Sequence, residues 1–405
     1  VNVFPRQKQI LNLNFPNNTK AGIYPAFLFN SSIMNKKILA LVFPLLFLQA
    51  TQANEWVFPR TDTLPQSLTL FFFGDVMQHD PQIHGAYNPE TQEYDYKHCF
   101  QYMVPYWQSA DYVIANLETT LDNKNFGGYP NFCSPWQLAR DLQFCGVNIL
   151  TTNNNHSCDK GATGIRRTIE WLDSLDLTHT GTFTDTLSWQ KSVPLFIRHE
   201  NFKIALLSYT YGTNGIPVTQ GQVVSMIDSS VILNDIAKAR QDSATHIIAM
   251  MHWGDEYFTS PNAVQRGLAR WLHDQGVDMV IGSHPHVVQP VEYFKQGEDT
   301  TGVTVYSLGN FISNQSKRYT TGGIGIRLTL SRNREGKSNY RMEYLNNYVY
   351  RPIENGKRRY YVVPETYAHE IPALQNDSTA RQSYRDTDSI INGVIPKITK
   401  TGKEF

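Results

Sequence analysis

Five short apolar runs, each ending in side chains that can bind a metal, constrain this chain more than any other feature. Leu68 to Gly74 leads into Asp75, Tyr112 to Leu117 into Glu118, and Val147 to Thr152 into Asn155 and His156. His246 to Met251 leads into His252, and Val277 to Ile281 into Gly282-Ser283-His284-Pro285-His286. Runs of this length bounded by turn residues read as buried strands, and open α/β sheets bind ligands on the loops that leave the carboxyl ends of their strands. His284 and His286 are two residues apart, so from an extended or turning backbone both imidazoles leave in one direction and can reach one centre. A single histidine beside an apolar run is as readily a hydrogen-bonded structural residue. Five strand ends that repeat the pattern form a constellation, and a constellation is the mark of a metal site.

Helical patterns separate these runs. Gly164 to Leu172 sets Ile165, Ile169 and Leu172 on one face, and Val231 to Arg240 and Val264 to Leu272 read the same way. Lys203 to Tyr209 and Val303 to Leu308 add strands, and Gly325 to Leu330 alternates like a half-exposed one. Residues 64–330 are therefore expected to form an α/β domain, two packed sheets with helices outside. Beyond Ser331 the pattern shifts to a polar turn at Asn333 to Ser338, antiparallel-like strands at Tyr340 to Tyr350 and Tyr360 to Pro364, and a helix over Thr379 to Ile391. Residues 331–405 read as an elaboration of the same domain with a polar tail.

Composition narrows the function. A chain of 405 residues, 41% hydrophobic and 12% aromatic, can bury a large core. Lys plus Arg and Asp plus Glu each number 36, which leaves no bulk positive field to hold nucleic acid or an anionic membrane. Any polyanion binding must be local. Residues 1–33 are rich in Asn and Pro and read as an unstructured upstream extension, with translation expected to start at Met34. Residues 34–53 have the order of a signal peptide: Lys36 and Lys37, an apolar stretch from Ile38 to Leu48, then Thr51-Gln52-Ala53. The expected location is the periplasm or cell surface, with membrane association only if that segment stays uncleaved. In an oxidising compartment Cys99, Cys133, Cys145 and Cys158 can form a disulfide or remain buried thiols, and both alternatives stay open.

Asp75, Glu118, Asn155, His252, His284 and His286 make a mixed oxygen and nitrogen donor set, which suits Mn, Fe or Zn better than Ca. Six donors exceed the need of one catalytic ion, so the set admits one or two divalent ions, with Glu118 able to bridge a pair.

These residues sit in six ordered motifs: Gly74-Asp75-Val76-Met77, Asn116-Leu117-Glu118, Asn154-Asn155-His156-Ser157-Cys158-Asp159, His252-Trp253-Gly254, Gly282-Ser283-His284-Pro285-His286 and Ser307-Leu308-Gly309-Asn310-Phe311. From about Ser67 to Ile312 the chain resembles the CapA-type poly-γ-glutamate capsule biosynthesis proteins of the calcineurin-like metallophosphoesterase fold. The resemblance implies a four-layer α/β sandwich of two stacked mixed sheets flanked by helices. It also implies that Asp75 and His286 bind a first ion, that Glu118 bridges, and that Asn155, His252 and His284 bind a second. His156 would serve the leaving group. Metallophosphoesterases usually carry a histidine where this chain has Met77, a poor ligand for a hard ion; His79 lies near, at a different spacing.

Asn116, Asp159, Glu256 and Asn310 are candidates for substrate contact or ligand support, as is Tyr257 beside Glu256. Tyr94, Tyr96, Tyr102, Tyr106 and Trp107 can line a polymer groove or fill the core. Two functions follow. One is a metal-dependent hydrolase of a phosphoester or amide in capsule or cell-envelope polymer synthesis, with a phosphorylated or γ-glutamyl substrate. The other is a polymer-binding or assembly component that works with the capsule synthesis machinery and has a degenerate metal site.

Overall fold

Side-chain alternation along the strand Ser67–Val76 decides the layering. Leu68, Leu70 and Phe72 point to one side and Phe71 and Phe73 to the other, and all five are fully buried. A strand buried on both faces needs cover on both. Leu68, Leu70 and Phe72 pack with Ile204, Leu206, Ile248, Met250 and Ile281 of a second sheet. Phe71 and Phe73 pack instead with Phe100, Trp107, Leu138 and Leu142 from helical segments, Phe73 stacking on Trp107 at 5.0 Å. The same parity governs the second sheet, where Ala205, Leu207, Ala249 and Val280 face Ile232, Ile236, Leu268 and Leu272 of two helices. The result is helix, sheet, sheet, helix. The central layer is the most expensive to disturb: truncating a side chain such as Phe72 to Ala costs about 3–5 kcal/mol.

The computed structural model describes residues 67–219, 221–296, 299–333 and 338–399, all within one compact unit, Pro65–Phe405. The expected signal segment at 34–53 and the extension before it lie outside the described residues. In the first sheet the strand order is Tyr361–Pro364, Ser338–Tyr350, Gly322–Arg332, Ser67–Val76, Tyr112–Leu117, Ile149–Thr151 and Thr178–Thr180, with Asn310–Ile312 pairing onto Ser67–Val76. The last four in that order run parallel, and the first three are antiparallel each to the next, Gly322–Arg332 pairing antiparallel onto Ser67–Val76, so the sheet is mixed. In the second, Leu195–His199, Phe202–Thr210, His246–His252, Met279–Ser283, Asp299–Leu308 and Val288–Gln296 follow in order, parallel in the middle and antiparallel at both edges.

Local chemistry starts the helices where the sequence turns polar. Ala263–Asp274 opens on Asn262, whose side chain and that of Gln265 satisfy each other's backbone amides in a capping box. Asp228 caps Ser229–Gln241 and Asp377 caps Ser378–Ile391, and the latter ends on Asn392 in the left-handed region. Gly325 to Leu330 alternates as expected, half-buried at Arg327 and Thr329 and buried at Ile326, Leu328 and Leu330, with Arg327 paired to Glu343 across the ladder. Residues 338–364 contribute two strands to the first sheet, and Ile391 of the last helix reaches the core between the sheets.

All four cysteines are buried free thiols, which settles the open alternative against a disulfide. Burial pushes the Cys158 thiol up to about 11 and Cys145 to about 12, so both are inert at neutral pH. Of the aromatic stretch, Tyr96, Tyr106 and Trp107 are core, Tyr94 packs half-buried against the same cluster and Tyr102 against a neighbouring one, so these side chains fill core.

Candidate metal centre

Five strands end at one place. Asp75 is the penultimate residue of the strand Ser67–Val76, where pairing with Tyr112–Leu117 shifts register between Phe73 and Asp75, a bulge that re-aims the side chain. Glu118 follows Tyr112–Leu117, Asn155 and His156 follow Ile149–Thr151, His252 ends its strand, and His284 and His286 follow Met279–Ser283. Gly282 permits the last turn, because a Cβ there would lie 1.9 Å from the Tyr306 carbonyl oxygen. His284 and His286 adopt φ of 97° and 58°, left-handed values that a non-glycine residue holds only where its surroundings enforce them. The strain is stored in the two residues whose rings face the centre.

Two donor groups form. Asp75, Glu118 and His286 present ligand atoms within 4.8 Å of one another, and so do Glu118, His252 and His284. Glu118 belongs to both: its Oε1 lies 3.6 Å from His252 Nε2 and 3.9 Å from His286 Nε2. His286 Nδ1 is 3.1 Å from Asp75 Oδ2, and Asn155 Oδ1 is 2.7 Å from His252 Nε2. Every one of these six residues is buried.

A divalent cation fits this set on three grounds. Glu118 Oε1 and His284 Nδ1 are buried without a hydrogen-bond partner, an arrangement that an ion would relieve. Burial, then the neighbouring Asp75 carboxylate, raises the Glu118 carboxyl well above its ordinary range, so two acids are held together at a cost that a cation offsets. Burial first, then repulsion from neighbouring histidines of the centre, lowers His252 and His284 well below the usual imidazole range, which keeps them neutral as ligands must be.

Supporting bonds fix the donors. Asn116 Nδ2 donates to Asp75 Oδ1 at 2.8 Å, and Asn116 Oδ1 accepts from Asn154 Nδ2 at 3.2 Å, tying two strand ends together. Ser283 Oγ is 3.0 Å from His252 Nδ1 and holds that ring's orientation. Asn310 Nδ2 donates to Gln315 Oε1 and to the Thr320 carbonyl oxygen, each at 2.9 Å, so Asn310 closes the loop after its own strand. Glu256 is exposed and touches the centre only through its charge.

His156 stands beside the donors without joining either group. Its Nδ1 is 2.7 Å from Asp159 Oδ2, which also accepts from the Phe132 amide at 2.6 Å, and its ring packs edge-on against Phe132. It caps no helix: Gly161–Ser174 opens later, on Lys160. Met77 is buried, and His79 bonds Gln82 at the start of its own helix, so His79 enters neither donor group.

Sequence reasoning missed Tyr211, whose ring lies 4.5 Å from that of His284, and Asn214, whose Oδ1 accepts from Asn155 Nδ2 at 3.3 Å. Both follow Phe202–Thr210, a sixth strand ending at the same place. Burial, then Glu256, raises the Tyr211 hydroxyl, so it stays protonated and able to donate.

Fold and site together define a four-layer α/β protein with a buried carboxylate and histidine centre whose donors are compatible with metal binding. The profile of the family described as bacterial capsule synthesis protein PGA_cap matches residues 69–315, more than half of the chain, and the chain belongs to that family. It is 29% identical over 299 residues to the capsule biosynthesis protein CapA of Bacillus anthracis, covering 69% of each chain. It is 28% identical over 309 residues to the PGA biosynthesis protein CapA of Bacillus subtilis (strain 168), covering 74% of this chain and 77% of that one. Among solved structures, the NAD nucleotidase NadN of Haemophilus influenzae superposes with a TM-score of 0.46 at 11% identity, over 83% of this chain and 64% of the nucleotidase. This chain thus spans less than two thirds of that protein, and so distant a likeness carries no argument about chemistry.

Proposed function

We propose that this chain is an exported, metal-dependent hydrolase that cleaves a phosphoester or amide bond during synthesis of a capsule or cell-envelope polymer of the poly-γ-glutamate kind. The observation that carries the reading is Glu118 Oε1, buried, without a hydrogen-bond partner and shared by two donor groups. Divalent Mn, Fe or Zn held by Asp75, Glu118 and His286, and by Glu118, Asn155, His252 and His284, would supply Lewis acidity and water activation.

The chain's own residues do the rest. Asp159 holds His156 Nδ1 and fixes the ring, which leaves Nε2 as the atom that carries a proton to the leaving oxygen or nitrogen. Phe132 braces the ring from its edge, and Tyr211 shields the His284 side of the centre. Export rests on the basic, apolar, small-residue order from Met34 to Ala53, which puts the start of the mature chain near Asn54. Residues 64–330 would carry the catalytic domain, with 331–405 elaborating it.

One observation favours the second reading, a polymer-binding assembly component with a degenerate site. Met77 stands where a hard-ion ligand is usual; it is buried, and its backbone bonds Ile312 and Gln82.

The deciding experiment loads the purified protein with Mn, Fe or Zn and measures turnover on phosphoester and γ-glutamyl amide substrates beside His156→Asn. The hydrolase reading expects turnover in the wild type and about a hundredfold loss in the variant, with metal content retained, the scale of losing a general acid. Polymer binding without any hydrolysis by the loaded wild type would transfer the conclusion to the assembly role. Amino-terminal sequencing of protein from its native host tests export, and a cytoplasmic chain that keeps residues 34–53 overturns it.

A further inference from the structure

We infer that the segment Ser313 to Tyr319 carries a carboxylate-binding track for an anionic polymer, running from Lys317 beside the metal centre to Arg351 and Arg358; this rests on the polymer reading above and names the chemistry that holds the ligand. With 36 basic and 36 acidic residues in the chain, recognition of a polyanion has to come from a local grouping of cations.

The near end is anchored to the metal loop. The exposed Lys317 places its ammonium 5.0 Å over the Tyr257 ring, and that ring lies 6.1 Å from the ring of His286. The Tyr257 amide donates to the Pro285 carbonyl oxygen at 2.8 Å, between the two histidines, and Gln315 Nε2 reaches the Tyr257 hydroxyl at 3.5 Å. Tyr257 itself is held at φ of 70°, a left-handed conformation that fixes the platform under the lysine. Lys317 therefore sits over a built platform at the rim of the centre.

The far end is a cavity. Asn314 and Ser316 line a space of about 500 Å³ together with Tyr350, Arg351, Arg358 and Asp377. Arg351 Nη1 donates to the carbonyl oxygens of Asn314 and Gln315 at 3.2 and 3.0 Å, and Arg358 Nη1 donates to that of Arg351 at 3.2 Å. Backbone carbonyls satisfy only part of each guanidinium, which has five N–H donors in a fork suited to carboxylates. Among the described residues no carboxylate forms an ion pair with Lys317, Arg351 or Arg358. Arg318, between them in sequence, differs: Asp386 holds it at 2.8 and 2.9 Å.

Two acidic groups lie near this path. Asp377 spends its charge on the first turn of Ser378–Ile391, accepting from the Thr379 and Ala380 amides at 2.8 and 3.1 Å. Glu256 lies close enough to Tyr257 to raise its hydroxyl pKa, after burial, and forms no ion pair with Lys317 among the described residues. A chain with one carboxylate per repeat meets Lys317 at the centre and the arginine cavity behind it, so one carboxylate is held while a bond is presented to the metal side.

The test uses the full chain and a defined γ-glutamyl oligomer, with affinity measured at low and high salt. Lys317→Glu and Arg358→Glu change exposed positions, whereas Arg351 is left intact because its backbone bonds hold the loop. Each variant is expected to raise Kd about tenfold and to flatten the salt dependence, as loss of a steering charge does, with metal content and thermal midpoint unchanged. A double variant that binds as the wild type does overturns the track and leaves the polymer reading standing. A neutral glycan, or a γ-glutamine polymer, bound as tightly as the acidic oligomer overturns it as well. If the metal-loaded wild type binds no γ-glutamyl oligomer, both the track and the polymer reading fall.

Discussion

Asn155 Oδ1 lies 2.7 Å from His252 Nε2, and this contact closes the candidate centre across the gap between the two sheets. Asn155 follows Ile149–Thr151 in the first sheet, and His252 ends a central strand of the second. Asp75 and His286, 3.1 Å apart, make a second such crossing. Donors drawn from both sheets mean that packing between the sheets sets the geometry of the site. Stability and metal affinity should move together when that packing is changed.

Asn155→Ala removes an oxygen donor and the bond that orients His252 Nε2. Affinity for the ion on that side should fall by about 10–100-fold, measured by titration with Zn or Mn against a competing chelator. Unaltered affinity would remove Asn155 from the donor set.

Glu118→Gln separates the two states of the centre. The amide relieves the buried repulsion with Asp75, so the metal-free protein should gain thermal stability, by about 2 °C or more if the relief reaches 1 kcal/mol in a domain of this size. The rise in midpoint on adding metal should shrink, because the shared ligand has lost its charge. A variant that is less stable without metal, or gains as much from metal as the wild type, contradicts the shared-ligand geometry.

Gly282→Ala and Gly267→Ala form a matched pair. A methyl group at position 282 would meet the Tyr306 carbonyl oxygen at 1.9 Å and the Trp253 ring nitrogen at 2.6 Å, so the turn carrying His284 and His286 has to shift. Destabilisation of about 3 kcal/mol is expected, with loss of metal uptake. Gly267, inside the helix Ala263–Asp274, has nothing within 4 Å of the same atom, and alanine there should stabilise by about 0.5–1 kcal/mol. Chemical denaturation of both variants checks the contrast.

Much of this was legible in the sequence because the information is local. An apolar run followed by Asp, Glu, Asn or His needs no tertiary knowledge to be read as a strand end, and Leu70, Phe71, Phe72 and Phe73 in succession announce a strand buried on both faces. Tyr211 escaped because the apolar run was read as ending at Tyr209, while the strand continues through Thr210 and delivers Tyr211 to the centre. The Lys317 platform had no sequence signal: Tyr257, under the lysine, and Arg351, which bonds the Gln315 carbonyl of the same loop, are distant along the chain, and only folding brings them to it. The fate of the cysteines was open for the same reason, since pairing depends on distances that spacing does not encode.

His273 provides a pH test away from the metal centre. The ring is 6% exposed, with Nδ1 2.7 Å from the Val277 carbonyl oxygen and Nε2 2.8 Å from Thr304 Oγ1. One ring nitrogen donates and the other accepts, so these two partners suit the neutral imidazole, and burial lowers its pKa below the ordinary 6.5. The folded pKa lies below the unfolded one, so the stability this residue contributes is fully present above pH 6.5 and is lost as pH falls through the folded value. His273→Gln lacks the titration but loses part of the bonding, about 1–2 kcal/mol at neutral pH. Unfolding free energies of the wild type and the variant, both stripped of metal, should therefore converge between pH 7.5 and 5.5, at no more than about 1.4 kcal/mol per pH unit. Taking the difference cancels the other histidines, which titrate in both proteins. A gap that stays constant or widens on acidification would mean that His273 is charged in the folded protein, and that the contacts with Val277 and Thr304 do not hold it neutral.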